Sequence, residues 1–396
     1  MKFKNVIALF FCFFTATEQI FCTLSVSQYA SDSFFQKPYF NQKLFTNIST
    51  NFTGGYANQA FNNDNEKVPF LQQFGSEAFL YKFVDPTRSR SDISSIGNGN
   101  LSGEFQYRQF FASWYKNIFS DIFIEAATVF QDLTITNINA EFVPSSTPLT
   151  TEQIAYLNQL QAALPPSINR FGMFTTAFYI GFNRTFHHFS HLDFVDILFK
   201  TGFATPEWMK ENNNSILQFP FNENFNFGYP IIGAISIGLL DWMTLGCNGT
   251  VQPFQPAVKN IALNNTNSAN QLLLPESSLA TIHRGPLFSA SAYIEADHII
   301  SGVSSTIGYA YAKNLAYTIT PLNITQYPVE QANNSTMMNE WSIGSLYFQF
   351  DVDFATETQP SAPIITMFCA IPIAGKLCPK TNLFGGSCNL QISYIF

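Results

Sequence analysis

Charge is what this sequence lacks. Only 12% of its 396 residues are Asp, Glu, Lys or Arg, about half the fraction usual in soluble domains. Lys and Arg together number 19 against 27 acids, for a net charge of −8. No basic stripe is visible, which argues against nucleic acid as a partner. Beyond the first few residues no apolar run reaches the ~20 residues that a spanning helix needs. Cysteine is scarce too, at six copies, with no CxxC and no Cys/His cluster at zinc spacing. No internal repeat of fixed period appears.

What is abundant is phenylalanine, with 44 copies. A nucleotide bias toward A and T would raise Phe and Asn, but it would raise Lys as well, so the low charge belongs to the protein. The aromatic residues fall into period-two patterns, the spacing of strands with two different faces. From Leu101 to Tyr115, Leu101, Phe105, Tyr107, Phe111 and Tyr115 alternate with Glu104, Gln106 and Arg108. From Leu287 to His298, Phe288, Ala290, Ala292, Ile294 and Ala296 oppose Ser289, Ser291, Tyr293, Glu295 and Asp297. "GSLYFQFDVDF" sets Leu346, Phe348, Phe350, Val352 and Phe354 against Gln349, Asp351 and Asp353. Phe174, Phe178, Ile180 and Phe182 form another apolar face. Val195, Ile197, Phe199 and Phe203 form one more, opposite Asp196 and Lys200.

The start is of another kind. Lys2 and Lys4 precede an apolar run from Val6 to Phe14 and then "TATEQIFC", the order of an export signal. Residues 1–22 are therefore read as a signal peptide cleaved between about residues 17 and 22. A lead-in spans 23–42, and one domain spans 43–396. Among the cysteines outside the signal, Cys378 and Cys388 bracket one loop. Export permits a disulfide between them; free apolar cysteines on strands are the alternative.

Counting by period gives strands near 43–57, 101–116, 119–139, 170–186, 191–204, 229–241, 242–254, 285–298, 301–318, 340–357, 362–377 and 385–396. That is about twelve, with ten to fourteen as the range, since Glu77 to Val84 could add one and Pro372 is awkward inside a central strand. Short turns alternate with long polar loops rich in Asn, Ser, Thr and Pro. Long strands with that asymmetry suit an antiparallel up-and-down transmembrane β-barrel, with short periplasmic turns and long outer loops. Thr150 and Gln153 form a capping box ahead of Ile154, Leu157, Leu160 and Leu164, which predicts a loop helix ended by Pro165 and Pro166. Thr205 and Pro206 predict a shorter helical turn over "PEWMKEN".

The last strand, "CNLQISYIF", places Leu390, Ile392, Tyr394 and Phe396 on one parity and ends on an aromatic residue. It resembles the C-terminal assembly signal of bacterial outer-membrane β-barrel proteins. That resemblance implies an outer-membrane location, contact with outer-membrane lipid, recognition by the barrel-assembly machinery, and closure of the last strand on the first. Closure also has a physical reason, because an open sheet edge in lipid leaves backbone groups unsatisfied.

On this parity Glu104, Arg108, Asp196, Lys200, Glu295, Asp297, Asp351 and Asp353 are expected to point into the lumen. Acids prevail, so a porin-like, cation-preferring channel for small solutes or ions is the leading functional expectation. A surface barrel whose long loops bind a partner is the alternative. A barrel hydrolase is a third, weaker reading. It needs Ser, His and Asp held together, and neither His283 nor His298 is paired with a serine motif, so no enzyme is expected. His187, His188 and His191 crowd one tight turn, but no carboxylate or cysteine lies at close spacing. The turn is read as interfacial, and neither metal nor other cofactor is expected. If the terminal aromatic is the assembly signal, deleting Phe396 should abolish heat-modifiable, membrane-inserted protein while export persists, as gel-shift and fractionation assays would register.

Overall fold

A computed structural model of the protein describes residues 45–80, 95–119, 121–144, 148–187, 192–211, 217, 226–240, 242–263, 277–300, 302–354 and 363–393. Twelve strands form the wall: β1 (Phe45–Ala57), β2 (Ser95–Asn117), β3 (Ile122–Pro144), β4 (Ser167–His187), β5 (Phe194–Ala204) and β6 (Ile231–Leu240). The chain continues through β7 (Met243–Gln252), β8 (Leu287–Ile300), β9 (Val303–Asn314), β10 (Trp341–Asp353), β11 (Pro363–Lys376) and β12 (Asn382–Ser393). Each pairs antiparallel with its neighbours in sequence. β1 pairs with β2 on one side and with β12 on the other, from Phe45 opposite Ser393 to Tyr56 opposite Asn382, so the sheet closes. Leu390 and Ile392 lie in that closing strand, whereas Tyr394 and Phe396 fall outside the described residues, as do the expected signal peptide, His188 and His191.

The wall has one face of each kind because side chains alternate across a strand. The outer face exposes Phe110, Trp114, Phe130, Phe178, Ile180, Phe199, Phe203, Ile294, Ile307 and Phe350. A closed barrel girdled by apolar side chains is a membrane-spanning one, because all its backbone groups are paired within the wall. Charged pairs bound this band on β3. Arg184 meets Asp121 at 3.5 Å beside the short turns, and Arg108 meets Asp132 at 3.7 Å toward the long loops. The apolar height between them suits a belt roughly 25 Å tall.

Arg108 and Glu104 thus take the outward parity of Phe110 and Trp114, not the expected inward one. The cause is that both faces of β2 are aromatic: Phe105, Tyr107, Phe111 and Tyr115 are buried inside the barrel. Phe174 also departs from the face expected of it. The register between β3 and β4 slips between Val129 and Phe130, so Phe174 bulges and turns inward while Phe178, Ile180 and Phe182 stay outside. A slip at Gly344/Ser345, which passes over Ile373, lets Pro372 sit within β11.

Two strand-sized pieces extend the wall without adding to it. Glu77–Leu80 pairs with Ser95–Gly99 of β2. Where a helical turn was expected, Trp208–Glu211 forms a strand, because the upper edge of β4 at Arg170–Met173 needs a partner above the end of β5. Buried Arg170 and Glu207 pair there as ions. Small sheets cover the long-loop end. One joins Gln59–Phe61, Lys67–Pro69 and Cys378–Pro379; the other joins Ala257–Ala262, Ser277–His283 and Thr318–Pro321. The predicted loop helix is present as α1 (Thr151–Ala163), with both capping-box hydrogen bonds formed between Thr150 and Gln153. Cys378 and Cys388 are free thiols, the first buried and bonded to the Ser342 carbonyl at 3.1 Å, the second on the outer face.

Phe350→Arg puts a cation against hydrocarbon and should cost about 2–4 kcal/mol if the side chain lies near the bilayer midplane. Phe350→Leu should cost far less. Chemical denaturation in vesicles would measure both, and equal costs would show that Phe350 does not face lipid.

Candidate functional site

The lumen divides into an apolar outer half and a polar inner half. After β1 the chain turns into the barrel mouth and forms a short 3-10 helix, Phe70–Phe74, whose Phe70, Leu71, Gln73 and Phe74 are buried. Phe70 stacks on Phe105 at 5.1 Å. One continuous apolar cluster includes Phe70, Leu71 and Phe74 with Tyr107, Leu133, Tyr293, Ile343, Tyr347 and Phe368 of the wall. Tyr156, Leu157 and Leu160 of α1 join it. The segment is a plug, packed on β2 and sharing one apolar cluster with side chains from β1–β4 and β8–β12. Its sequence, "PFLQQFG", is too short and too lightly patterned to be read as a core element, and no motif in it marks an inward fold.

Below the plug the inner face carries charge. Lys200 reaches across β4 to Glu125, with Nζ 2.6 Å from Oε2 and both side chains buried. Its path crosses Gly181, where a Cβ would strike the Phe123 ring, and its ammonium lies 4.7 Å over the Tyr179 ring. Asp196 is buried on β5, beside Thr185 of β4 and Ser236 of β6. The Thr244 hydroxyl of β7 donates to Asp297 of β8 at 3.2 Å. On β10 Gln349 donates to both oxygens of Asp351 at 2.9 and 3.0 Å, and Thr366 donates to one at 2.6 Å.

Register brings four of the expected residues into one sector. Glu295 faces Thr306 of β9, and Thr306 faces Gln349 of β10. Asp297 follows on β8, while Asp351 and Asp353 follow on β10 beside the turns. Asp196 stands three strands back from β8. The geometry thus groups Asp196, Glu295, Asp297, Asp351 and Asp353 at the short-turn end, places Lys200 against Glu125, and leaves Glu104 and Arg108 outside. Glu125 itself sits on the inward parity of β3, whose alternation from Phe123 to Ile135 would have found it.

At the long-loop end, Arg284 is held 4.1 Å over Phe254 and 5.5 Å over Tyr317, with its Nε donating to Asn314 at 3.1 Å. Hydrogen bonds from Lys313 and Lys376 to Glu340 hold that rim carboxyl below its usual range. Among the described residues no cluster of His, Cys, Asp or Glu is arranged to hold a metal ion. His283 lies in the outer sheet, opposite Thr318.

The Glu125–Lys200 pair should behave as a unit. Lys200→Met alone strands a buried carboxylate and should cost about 3–5 kcal/mol. Lys200→Met with Glu125→Gln should recover much of that loss. Unfolding midpoints of the four proteins in a double-mutant cycle give the coupling, and additive losses would mean the pair is not coupled.

No protein-family model matches the sequence, and no curated protein matches it. Among solved structures the chain is similar to an outer membrane channel from Pseudomonas putida F1, at 8% identity and a TM-score of 0.54, over 90% of this chain and 98% of that one. It is also similar to the transport unit of the autotransporter AIDA-I from Escherichia coli, at 9% identity and a TM-score of 0.41, over 93% and 96% of the two chains. At such identities the likeness to the channel is one of fold, that of a bacterial outer-membrane β-barrel.

Proposed function

We propose, from the premise of an outer-membrane β-barrel fold, that this protein is a porin-like channel passing small hydrated solutes with a preference for cations. The observation that carries the reading is the charge of the inner face below the plug. Among the described residues it holds six carboxylates, Glu125, Asp196, Glu295, Asp297, Asp351 and Asp353, against one ammonium, Lys200. A low-dielectric wall around a narrow aqueous space focuses such a field and raises the local concentration of cations. The fold's likeness to a solved outer membrane channel is consistent with a conducting lumen.

The apolar plug favours a second reading, a closed barrel whose long outer loops bind a partner. Planar-bilayer recording separates the two, since a closed barrel is silent. For the channel, the reversal potential across a salt gradient should take the sign for cations and shrink toward zero as rising salt screens the carboxylates. Replacing Asp351 and Asp353 with asparagine should reduce it further. An anion-selective reversal potential, or one unchanged by the double substitution, would overturn the proposed role of this sector.

A further inference from the structure

The lipid-facing side of the wall is not filled evenly. A hollow of about 860 Å³ opens outward across β12, β1 and β2, the strands of the closing seam. Its floor includes Gly54 of β1 and Gly386 of β12, which lie on the outward parity of Phe52 and Cys388. Register sets Gly54 between Phe384 and Arg108, and sets Phe52 between Gly386 and Phe110. The rings of Phe52 and Phe384 thus stand as walls around two missing side chains. A Cβ at Gly54 would meet no atom closer than the Tyr107 carbonyl oxygen, at 3.8 Å, so no neighbour has folded over it. Gly344 of β10 shows the other outcome, because the Tyr309 side chain takes up the outward space there.

The groove has a polar end and an apolar end, ordered along the bilayer normal. Tyr56, Gln106 and Arg108 stand toward the long loops, where the Arg108–Asp132 pair marks the edge of the apolar belt. Phe52 and Gly386 lie below, within the belt. Only lipid or another membrane protein reaches this height. Arg108 brings charge to it. Its side chain is 65% exposed, and Asp132 at 3.7 Å is too distant for a hydrogen bond. Asp132 instead accepts from Asn169 at 2.7 Å, and Glu104 accepts from Asn137 at 3.0 Å. The guanidinium therefore keeps donors for a further anion, and its planar fork suits the oxygens of a phosphate.

We propose that this groove binds an acylated, phosphate-bearing lipid of the outer leaflet. An acyl chain lies over Gly54 and Gly386 between the two phenylalanine rings, and the headgroup phosphate accepts hydrogen bonds from Arg108. A lipid held there lies across the pairing of β12 with β1 and covers the closing seam. The inference rests on the barrel's place in the membrane and is independent of the channel reading.

The test is native mass spectrometry of the full-length protein in detergent, titrated with lipid A, a phosphorylated and acylated glucosamine disaccharide. Heat-modifiability checks the folding of each variant. Wild type should retain a single lipid under activation that strips the rest. Gly54→Leu, which fills the hollow, and Arg108→Gln, which removes the cation, should each weaken that retention severalfold. Gly233→Leu on β6 is the control, because it also fills open space on the outward face and should change nothing. Removing the phosphates from the lipid should weaken binding to wild type and make no difference to Arg108→Gln. If Arg108→Gln does not fold, Gly54→Leu and the dephosphorylated lipid decide alone. Equal retention by Gly54→Leu and Gly233→Leu would mean annular lipid only and overturns the site. Binding that is lost in Gly54→Leu but indifferent to phosphate overturns the proposed ligand class.

Discussion

Every feature of this structure depends on one constraint: in hydrocarbon, no backbone amide or carbonyl on the wall can be left without a partner. Twelve strands satisfy it by closing on themselves, with β1 shared between β2 and β12. The same requirement governs details. Trp208–Glu211 is drawn onto the upper edge of β4 where β5 ends, and Glu77–Leu80 onto the edge of β2 where β1 ends. Pro372 is accommodated only because one residue beside it is passed over in the register.

Closure at this circumference creates the second problem, an interior wider than side chains from the wall fill by themselves. The chain solves it asymmetrically. Toward the long loops a fold-back of the first loop brings Phe70, Leu71 and Phe74 into contact with wall aromatics. Toward the short turns the space is occupied by charge and amide. Dispersion and burial hold the first half, and ion pairing and carboxylate hydrogen bonds such as those at Asp351 hold the second.

The architecture was legible because a membrane wall writes a period-two pattern into every strand, and the twelve predicted segments coincide with the twelve of the wall to within a few residues at most ends. β2 and β3 are longer, since their outer ends rise beyond the apolar band. Parity was legible wherever one face was polar, as in β5, β8 and β10, and it failed on β2. There the plug makes the inner face as aromatic as the outer, so Arg108 and Glu104 mark the membrane border and not the lumen. Phe174 was unreadable for a related reason: a bulge is one inserted residue, and it leaves the alternation on either side intact. The plug could not be foreseen, because it docks on β2, some thirty positions on, through a five-residue helix with no pattern of its own to mark a buried face.

The small sheet of Gln59–Phe61, Lys67–Pro69 and Cys378–Pro379 has a mechanical consequence. It ties the loop that leaves β1 to the segment that enters β12, the two strands whose pairing closes the wall. A cylinder opened at that seam would still have its lips tethered above the membrane, so re-zipping would be a local search from a fixed starting register. A one-residue slip, which would turn every side chain of β12 to the wrong face, is opposed from outside the bilayer by a clasp that takes no part in the wall.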